Sequence, residues 1–109
     1  LRNDGRILIE NVEEALRLQD RIKGLLGRTS LGPGRAMWLS PCNSVHTFFM
    51  KFNLDLVFLD RASSVVRLVR NVPPNRVISG GRGARSVLEM ESGWLAPQAL
   101  AIGDKVDVT

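Results

Sequence analysis

The sequence predicts a mainly β fold with a minor α+β character: a compact β-barrel-like or sandwich domain of about seven short strands, with one N-terminal helix packed on it. Three observations support this prediction. Segments rich in β-branched and aromatic residues are short and are separated by Gly, Pro, Asn or Ser. Apolar residues recur at helical spacing over one long stretch, near the N-terminus. Strands and helices do not alternate as they do in a parallel βαβ sheet.

The N-terminal third is expected to hold an edge strand, the helix and a second strand. Arg6–Glu10 has the composition of a short strand. Asn11 is placed as the N-cap of a helix over Val12–Leu26, whose apolar residues at positions 15, 18, 22 and 25 would share one face. Gly27 suits the left-handed cap at its C-terminal end. After a turn rich in Gly and Pro, Ala36–Ser40 is predicted to be a strand.

The stretch from Met37 to Asp60 is expected to organise the rest of the chain. Val45–Met50 is rich in β-branched and aromatic residues, and Asp55–Asp60 is almost continuously apolar, as in a strand covered on both faces. Only the short connection Lys51–Asn53 separates the two. We therefore predict that these strands pair as a central antiparallel hairpin.

The C-terminal half continues in short strands. Ser64–Asn71 and Ser86–Met90 are predicted strands, and between them Asn71–Arg85 is irregular and rich in Gly and Pro, which is typical of functional or mobile segments. A short helix is expected to start near Pro97, because proline is accepted in a first helical turn. Lys105–Val108 is predicted to be the last strand.

Length and composition limit the class of protein. A chain of 109 residues is expected to form one domain over residues 1–109. With 44% hydrophobic and 24% charged residues it has ordinary globular composition, which excludes a disordered chain. The longest apolar runs fall far short of the ~20 residues that cross a bilayer, so no membrane span is predicted.

Cysteine usage and charge bear on compartment and partners. One Cys cannot form an intramolecular disulfide, which favours a reducing, cytoplasmic compartment, although a chain that begins at Leu1 is also compatible with a segment removed upstream. The net charge of +4 is mildly basic. Its 15 Lys and Arg residues are spread along the chain, without runs or interleaved aromatics, which argues against specific nucleic-acid binding. Nothing in the sequence specifies an oligomeric state.

Five stretches, taken in order, form a recognisable pattern: Gly24–Arg28, Phe48–Lys51 followed by Leu54–Asp60, Asn71–Pro74, Ala84–Glu89 and Gly103-Asp104. Together they resemble the domain-of-unknown-function-192 family, an uncharacterised protein family of bacteria and archaea. Asn53 departs from the pattern, since the family usually has Pro there. The resemblance implies a compact β-barrel-like domain and no established activity.

The only Cys and the only His are the first candidates for chemistry. Cys42, His46 and Met50 are spaced four residues apart and are soft-metal ligand types, but on a strand successive members lie roughly 13 Å apart. We therefore predict no metal site, and no cofactor. As a nucleophile and base, Cys42 and His46 must lie within hydrogen-bond reach, with Asp55 or Asp60 orienting the His. The competing interpretation is a buried thiol near a hydrogen-bonded His.

Two carboxylates within apolar sequence are the second candidates. Asp55, between two leucines, needs partners such as Lys51, Arg28, Arg85 or backbone amides, and a structural role is favoured over ligand recognition. Glu89 also lies between apolar residues. If it met Asp55 in a pocket, the two would form an acid/base pair or bind a cation. A place on the solvent face of its strand is the favoured interpretation.

These residues predict a non-catalytic binding or accessory domain with a small polar pocket near the central hairpin. Its ligand would be a small polar molecule or a protein partner. The candidate ligand-binding residues are His46, Lys51, Asp55, Arg85 and Glu89, with Cys42 as a further contributor. One alternative is an enzyme that uses the Cys42/His46 pair. Another is weak anion or nucleic-acid binding through scattered arginines, including those around the Gly80–Gly83 loop.

Overall fold

The computed structural model describes residues 2–3, 6–7, 11–15, 35–48, 50–96 and 98–108, and these residues are mainly β. They form nine strands: β1 (Arg2–Asn3), β2 (Arg6–Ile7), β3 (Asn11–Ala15), β4 (Arg35–Leu39), β5 (Ser44–His46), β6 (Leu54–Leu59), β7 (Val65–Val72), β8 (Val77–Ser79) and β9 (Ser86–Glu91). None of the described residues is helical. In this part of the chain, no helix has the length and apolar character needed to cross a bilayer.

The strands are arranged in three open sheets. The largest has the order β3-β4-β9-β6-β7, and β1-β2 and β5-β8 are two-stranded. Only the β3–β4 pair is parallel among these described strands. Arg67 on β7 donates a side-chain hydrogen bond to the carbonyl of Ser79 on β8. The predicted mainly β fold is confirmed, but the described strands do not close into a barrel.

Strand β6 lies at the centre of the core. All six of its residues are buried, and it pairs antiparallel with β7 on one side and β9 on the other. Leu54, Leu56 and Phe58 face one apolar cluster, while Val57 and Leu59 face a second cluster on the opposite face. The expectation of a strand covered on both faces is confirmed.

The predicted central hairpin is wrong. Strand β5 pairs with β8 rather than with β6. Two hydrogen bonds give the physical reason. The Thr47 amide donates to the Arg76 carbonyl at 2.8 Å, which continues the pairing with β8, and the Met50 amide donates to the Thr47 carbonyl at 3.2 Å, which turns the chain after β5. The predicted strand Val45–Met50 therefore ends at His46, and β8 forms inside the segment expected to be irregular.

The predicted helices are not found among the described residues. Asn11–Ala15 forms strand β3 beside β4, where the helix was expected to begin. Residues 16–26 of that helix, and residues 8–10 of the preceding predicted strand, lie outside the described residues. The described residues around Pro97, which is itself outside them, form turns rather than a short helix. Lys105 forms one isolated bridge, with Ser64, in place of the predicted last strand.

Gly80, the residue directly after β8, packs tightly against the core. Its amide donates to the Asn43 carbonyl at 2.8 Å, and a Cβ built at this position would lie 2.6 Å from the Cβ of Ala84 and would overlap the ring of Phe58. Both neighbours are buried, so neither can move away freely. The position therefore accepts only glycine.

We expect Gly80→Ala to lower the free energy of unfolding by about 2 to 3 kcal/mol, because the added methyl overpacks the core. The measurement is urea denaturation. The matched control is Gly81→Ala, since nothing lies within 4 Å of a Cβ there and only its positive φ of 81° opposes the change, at about 1 kcal/mol. Equal losses in the two variants would contradict the packing argument.

Candidate functional site

Asp55 lies at an irregularity in the β6–β7 ladder. The register shifts between the pairs made by Leu54 and Leu56, so that two β7 residues, Arg70 and Asn71, stand opposite Asp55. Such an extra residue is a β-bulge. Asn71 has a positive φ of 57°, which Asn tolerates better than most residues. Asp55 itself is 4% exposed.

The Asp55 carboxylate accepts a hydrogen bond from the backbone of the bulge. Its Oδ1 accepts hydrogen bonds from the Asn71 amide at 2.8 Å and from the Ser92 hydroxyl at 3.1 Å, and its Oδ2 lies 3.5 Å from Nη1 of Arg70. Arg70 also donates to the carbonyls of Leu95 and Ala96, at 3.0 and 3.1 Å. One kind of partner expected for Asp55 from the sequence, a backbone amide, contacts it. The cation beside it is Arg70, which was not among the expected partners. These contacts give Asp55 a structural role.

Glu89 lies on the opposite face of the sheet from Asp55. It stands across from Met37 and Leu56, whereas Asp55 stands across from Met90. Glu89 is 4% exposed, so it does not lie on a solvent face. Within the described residues its carboxyl group has no hydrogen-bond partner, and burial raises its pKa to about 7. Asp55 and Glu89 therefore do not form an acid/base pair.

Cys42 and Arg85 meet at an open pocket of about 210 Å³, which Pro41, Asn43 and Ala84 also line. The Cys42 amide donates to the Arg85 carbonyl at 2.9 Å, and the Arg85 amide donates to the Leu59 carbonyl at 2.7 Å. Because these bonds connect the pocket walls to the end of β6, the pocket is held by the core sheet.

His46 lies at the other end of β5. Its ring stacks on that of Phe48, with centroids 5.3 Å apart and an angle of 28° between the planes. The Cys42 thiol donates to the Ser44 carbonyl at 3.1 Å. Asp60, one of the two expected orienting groups, accepts from the amides of Ala62 and Ser64, both at 2.9 Å. The structure therefore does not assemble a nucleophile, base and orienting acid from these residues.

The remaining predicted residue, Lys51, is exposed after the turn that follows β5. The described residues contain no group of three or more His, Cys, Asp or Glu side chains that could hold a metal ion.

Sequence reasoning missed Arg70, Ser92 and Phe48. The first two are placed beside Asp55 by strand pairing, for which the sequence carries no local signal. Phe48 carried a signal, because it follows His46 by two residues and falls on the same face of an extended chain.

The fold defines a mainly β protein built on one five-stranded sheet, with a pocket at the edge of the β5–β8 pair rather than at a central hairpin. The chain belongs to the DUF192 family, described as "Uncharacterized ACR", whose model matches residues 1–108. The family membership expected from the sequence is thus confirmed, and it indicates no specific function.

Individual relatives agree with this assignment. The chain is 36% identical over 64 residues to a UPF0127 protein of Thermococcus sibiricus, an alignment that covers 59% of this chain and 41% of that relative's length. A protein of unknown function from Novosphingobium aromaticivorans has a similar crystal structure, with a TM-score of 0.77 and 25% identity over 88% of this chain and 73% of that one. A protein from Sinorhizobium meliloti shares the fold alone, with a TM-score of 0.74 and 22% identity over 86% and 78% of the two chains.

We expect Asp55→Ala to lower the free energy of unfolding by about 3 kcal/mol, because the bulge amide loses its acceptor and Arg70 loses its counter-charge. Asp55→Asn keeps one acceptor oxygen and should cost about half as much. A double-mutant cycle with Arg70→Met, measured by urea denaturation, should give a coupling energy of about 1 kcal/mol or more. If the two substitutions change the free energy of unfolding additively, Asp55 and Arg70 do not interact.

Glu89 should make the protein less stable as the pH rises from about 4.5 to about 7. The unfolded carboxyl ionises from 4.5 upward, whereas the folded one stays protonated up to about 7, so the folded state binds more protons in that interval. The loss approaches about 3 kcal/mol at pH 8. Glu89→Gln should be more stable than the wild type at pH 8 and equally stable near pH 4.5, by thermal and urea denaturation.

A slope that persists in Glu89→Gln would assign the pH dependence to another group.

Proposed function

We propose that this chain is a non-catalytic binding module whose pocket, at Cys42 and Arg85, takes a small polar ligand with a negative charge. The observation that carries the proposal is the convergence of these two residues, 43 positions apart in the sequence numbering, on one open pocket. Such pockets are the usual place for a ligand site.

The residues that line the pocket favour an anionic ligand. Arg85 is its one charged side chain, and no Asp or Glu is among its five lining residues. Within the described residues the exposed Arg85 guanidinium has no hydrogen-bond or ion-pair partner, so its donors are available to a carboxylate or phosphate. The exposed amide of Asn43 adds both a donor and an acceptor.

The volume of the pocket and the hydrogen bonds that fix its flanks favour a small ligand. Its volume of about 210 Å³ is below the roughly 300 Å³ at which sites for drug-sized molecules begin. The Gly80 amide binds the Asn43 carbonyl at 2.8 Å, so both flanks of the pocket are fixed by backbone hydrogen bonds. A ligand would meet a largely preformed site, which reduces the entropy lost on binding.

The other predicted binding residues contribute less to this proposal. Asp55 and Glu89 are buried in the sheet, whereas His46 lies at the opposite end of β5 and Lys51 lies beyond it. The alternative of a Cys42/His46 enzyme has no supporting contact, since the thiol donates to the Ser44 carbonyl and the imidazole stacks on Phe48.

The test is a titration of the ¹⁵N-labelled protein with citrate, acetate and inorganic phosphate, followed by amide chemical shifts. We expect at least one of these anions to shift the amides of Cys42, Asn43 and Arg85 in a saturable way. Arg85→Gln should weaken that binding at least about fivefold, as loss of a charge-assisted hydrogen bond requires.

The matched control is Arg76→Gln, which removes the same charge from an exposed position at the other end of the β5–β8 pair. It should leave the affinity within about twofold. Equal weakening in both variants would mean that the anions respond only to net charge, and no saturable shift with any of the three anions would remove the proposal.

A further inference from the structure

A second exposed surface lies at the far end of the β5–β8 pair and is independent of the pocket. We call it the aromatic surface and define it by His46, Phe48, Arg76 and Val77. His46 stands directly opposite Val77 in the β5–β8 ladder, and Phe48 stacks on His46. Phe48 is 40% exposed and Val77 is 64% exposed, although both are apolar.

Hydrogen bonds hold the Arg76 backbone beside Thr47, the residue between His46 and Phe48. Its carbonyl accepts from the Thr47 amide at 2.8 Å, and its amide donates to the Thr47 hydroxyl at 2.9 Å. Thr47 is fully buried, which anchors the surface in the body of the protein. Among the described residues, the exposed guanidinium of Arg76 donates to the carbonyl of Asn75, at 3.3 Å, and it retains further donors.

The charge within the segments that form this surface is of one sign. The two segments that form this surface, residues 44–48 and 75–79, contain no Asp or Glu. Lys51 is exposed just after the turn that carries Phe48, so a second cation belongs to the same part of the chain. The sequence shows no interleaving of basic and aromatic residues, but the pairing of β5 with β8 places the Arg76 backbone beside Thr47, which lies between the two ring-bearing residues.

We propose that the aromatic surface binds single-stranded nucleic acid, with an unpaired base stacked on Phe48 and a backbone phosphate at Arg76. Aromatic side chains beside basic groups are how proteins bind single strands without reading sequence. An acidic peptide would satisfy the charge but would use the rings only as apolar area. The stacked pair of rings favours a partner with flat π-faces, which nucleobases have.

The test is fluorescence anisotropy with a labelled oligo-deoxythymidine of about twelve nucleotides, a length within the range that one small domain contacts. We expect weak, salt-sensitive binding. Phe48→Leu keeps an apolar side chain but loses the π-face, and it should weaken binding at least about fivefold. Arg76→Gln should weaken binding and lower the salt slope by about one.

The matched control is Arg61→Gln, which removes an equal charge from the exposed turn after β6 and should leave the affinity for the oligonucleotide within about twofold. Thermal unfolding should show Phe48→Leu to be folded, since that side chain is partly exposed. The proposal would be overturned by absence of binding at 50 mM salt, or by equal binding of Phe48→Leu and wild type. A labelled oligo-glutamate that binds as tightly as the oligonucleotide would also overturn it, in favour of an acidic protein partner.

Discussion

The burial of strand β6 on both faces is the constraint on which the rest of the structure depends. Val57, Phe58 and Leu59 have no exposed surface, and the strand has hydrogen-bonded neighbours on both sides. Each face must therefore be covered by other parts of the chain, because exposed apolar area costs about 25 cal/mol per Å². One face is covered by β5, β8 and their connections, and the other by the turns that follow β9.

A carboxylate in this buried strand needs hydrogen-bond donors and an opposite charge beside it, because burying an unpaired charge costs free energy. Asp55 meets this condition through the bulge in β7, whose extra residue presents the Asn71 amide while Arg70 supplies the opposite charge. Arg70 then reaches the carbonyls of Leu95 and Ala96, and Ser92 reaches Asp55. The acid thus connects the central strand to the turn after β9.

Local patterns predicted where the two buried central strands lie, but not how the strands pair. The predicted strands Asp55–Asp60 and Ser86–Met90 agree with β6 and β9 to within one residue at each end, because their apolar runs depend on the burial of those residues themselves. The prediction of a central hairpin was wrong because distant strands decide the pairing. Here the partner of β5 is β8, which is separated from it by 30 residues. Glu89 was misplaced for the same reason: its face is set by register, which local sequence does not encode. Of the candidate site, Cys42 and Arg85 were named from the sequence, but they meet because the chain beyond the paired residues Leu39 and Val87 of β4 and β9 stays hydrogen-bonded, from the Cys42 amide to the Arg85 carbonyl.

The β5–β8 pair also explains why the polar residues of the central stretch fail to form one site. Alternation along β5 points Val45 into the core and leaves Ser44 and His46 outside, so the strand itself contributes no inward polar group. Cys42 precedes the strand and Phe48 follows it, which places the thiol with Arg85 at one end and the imidazole with Arg76 at the other. A single strand of three residues, extended at ~3.3 Å per residue, is enough to keep these two groups apart. Any binding at the two ends is consequently separable: each has its own arginine, its own connection to the core, and no side chain that both ends share.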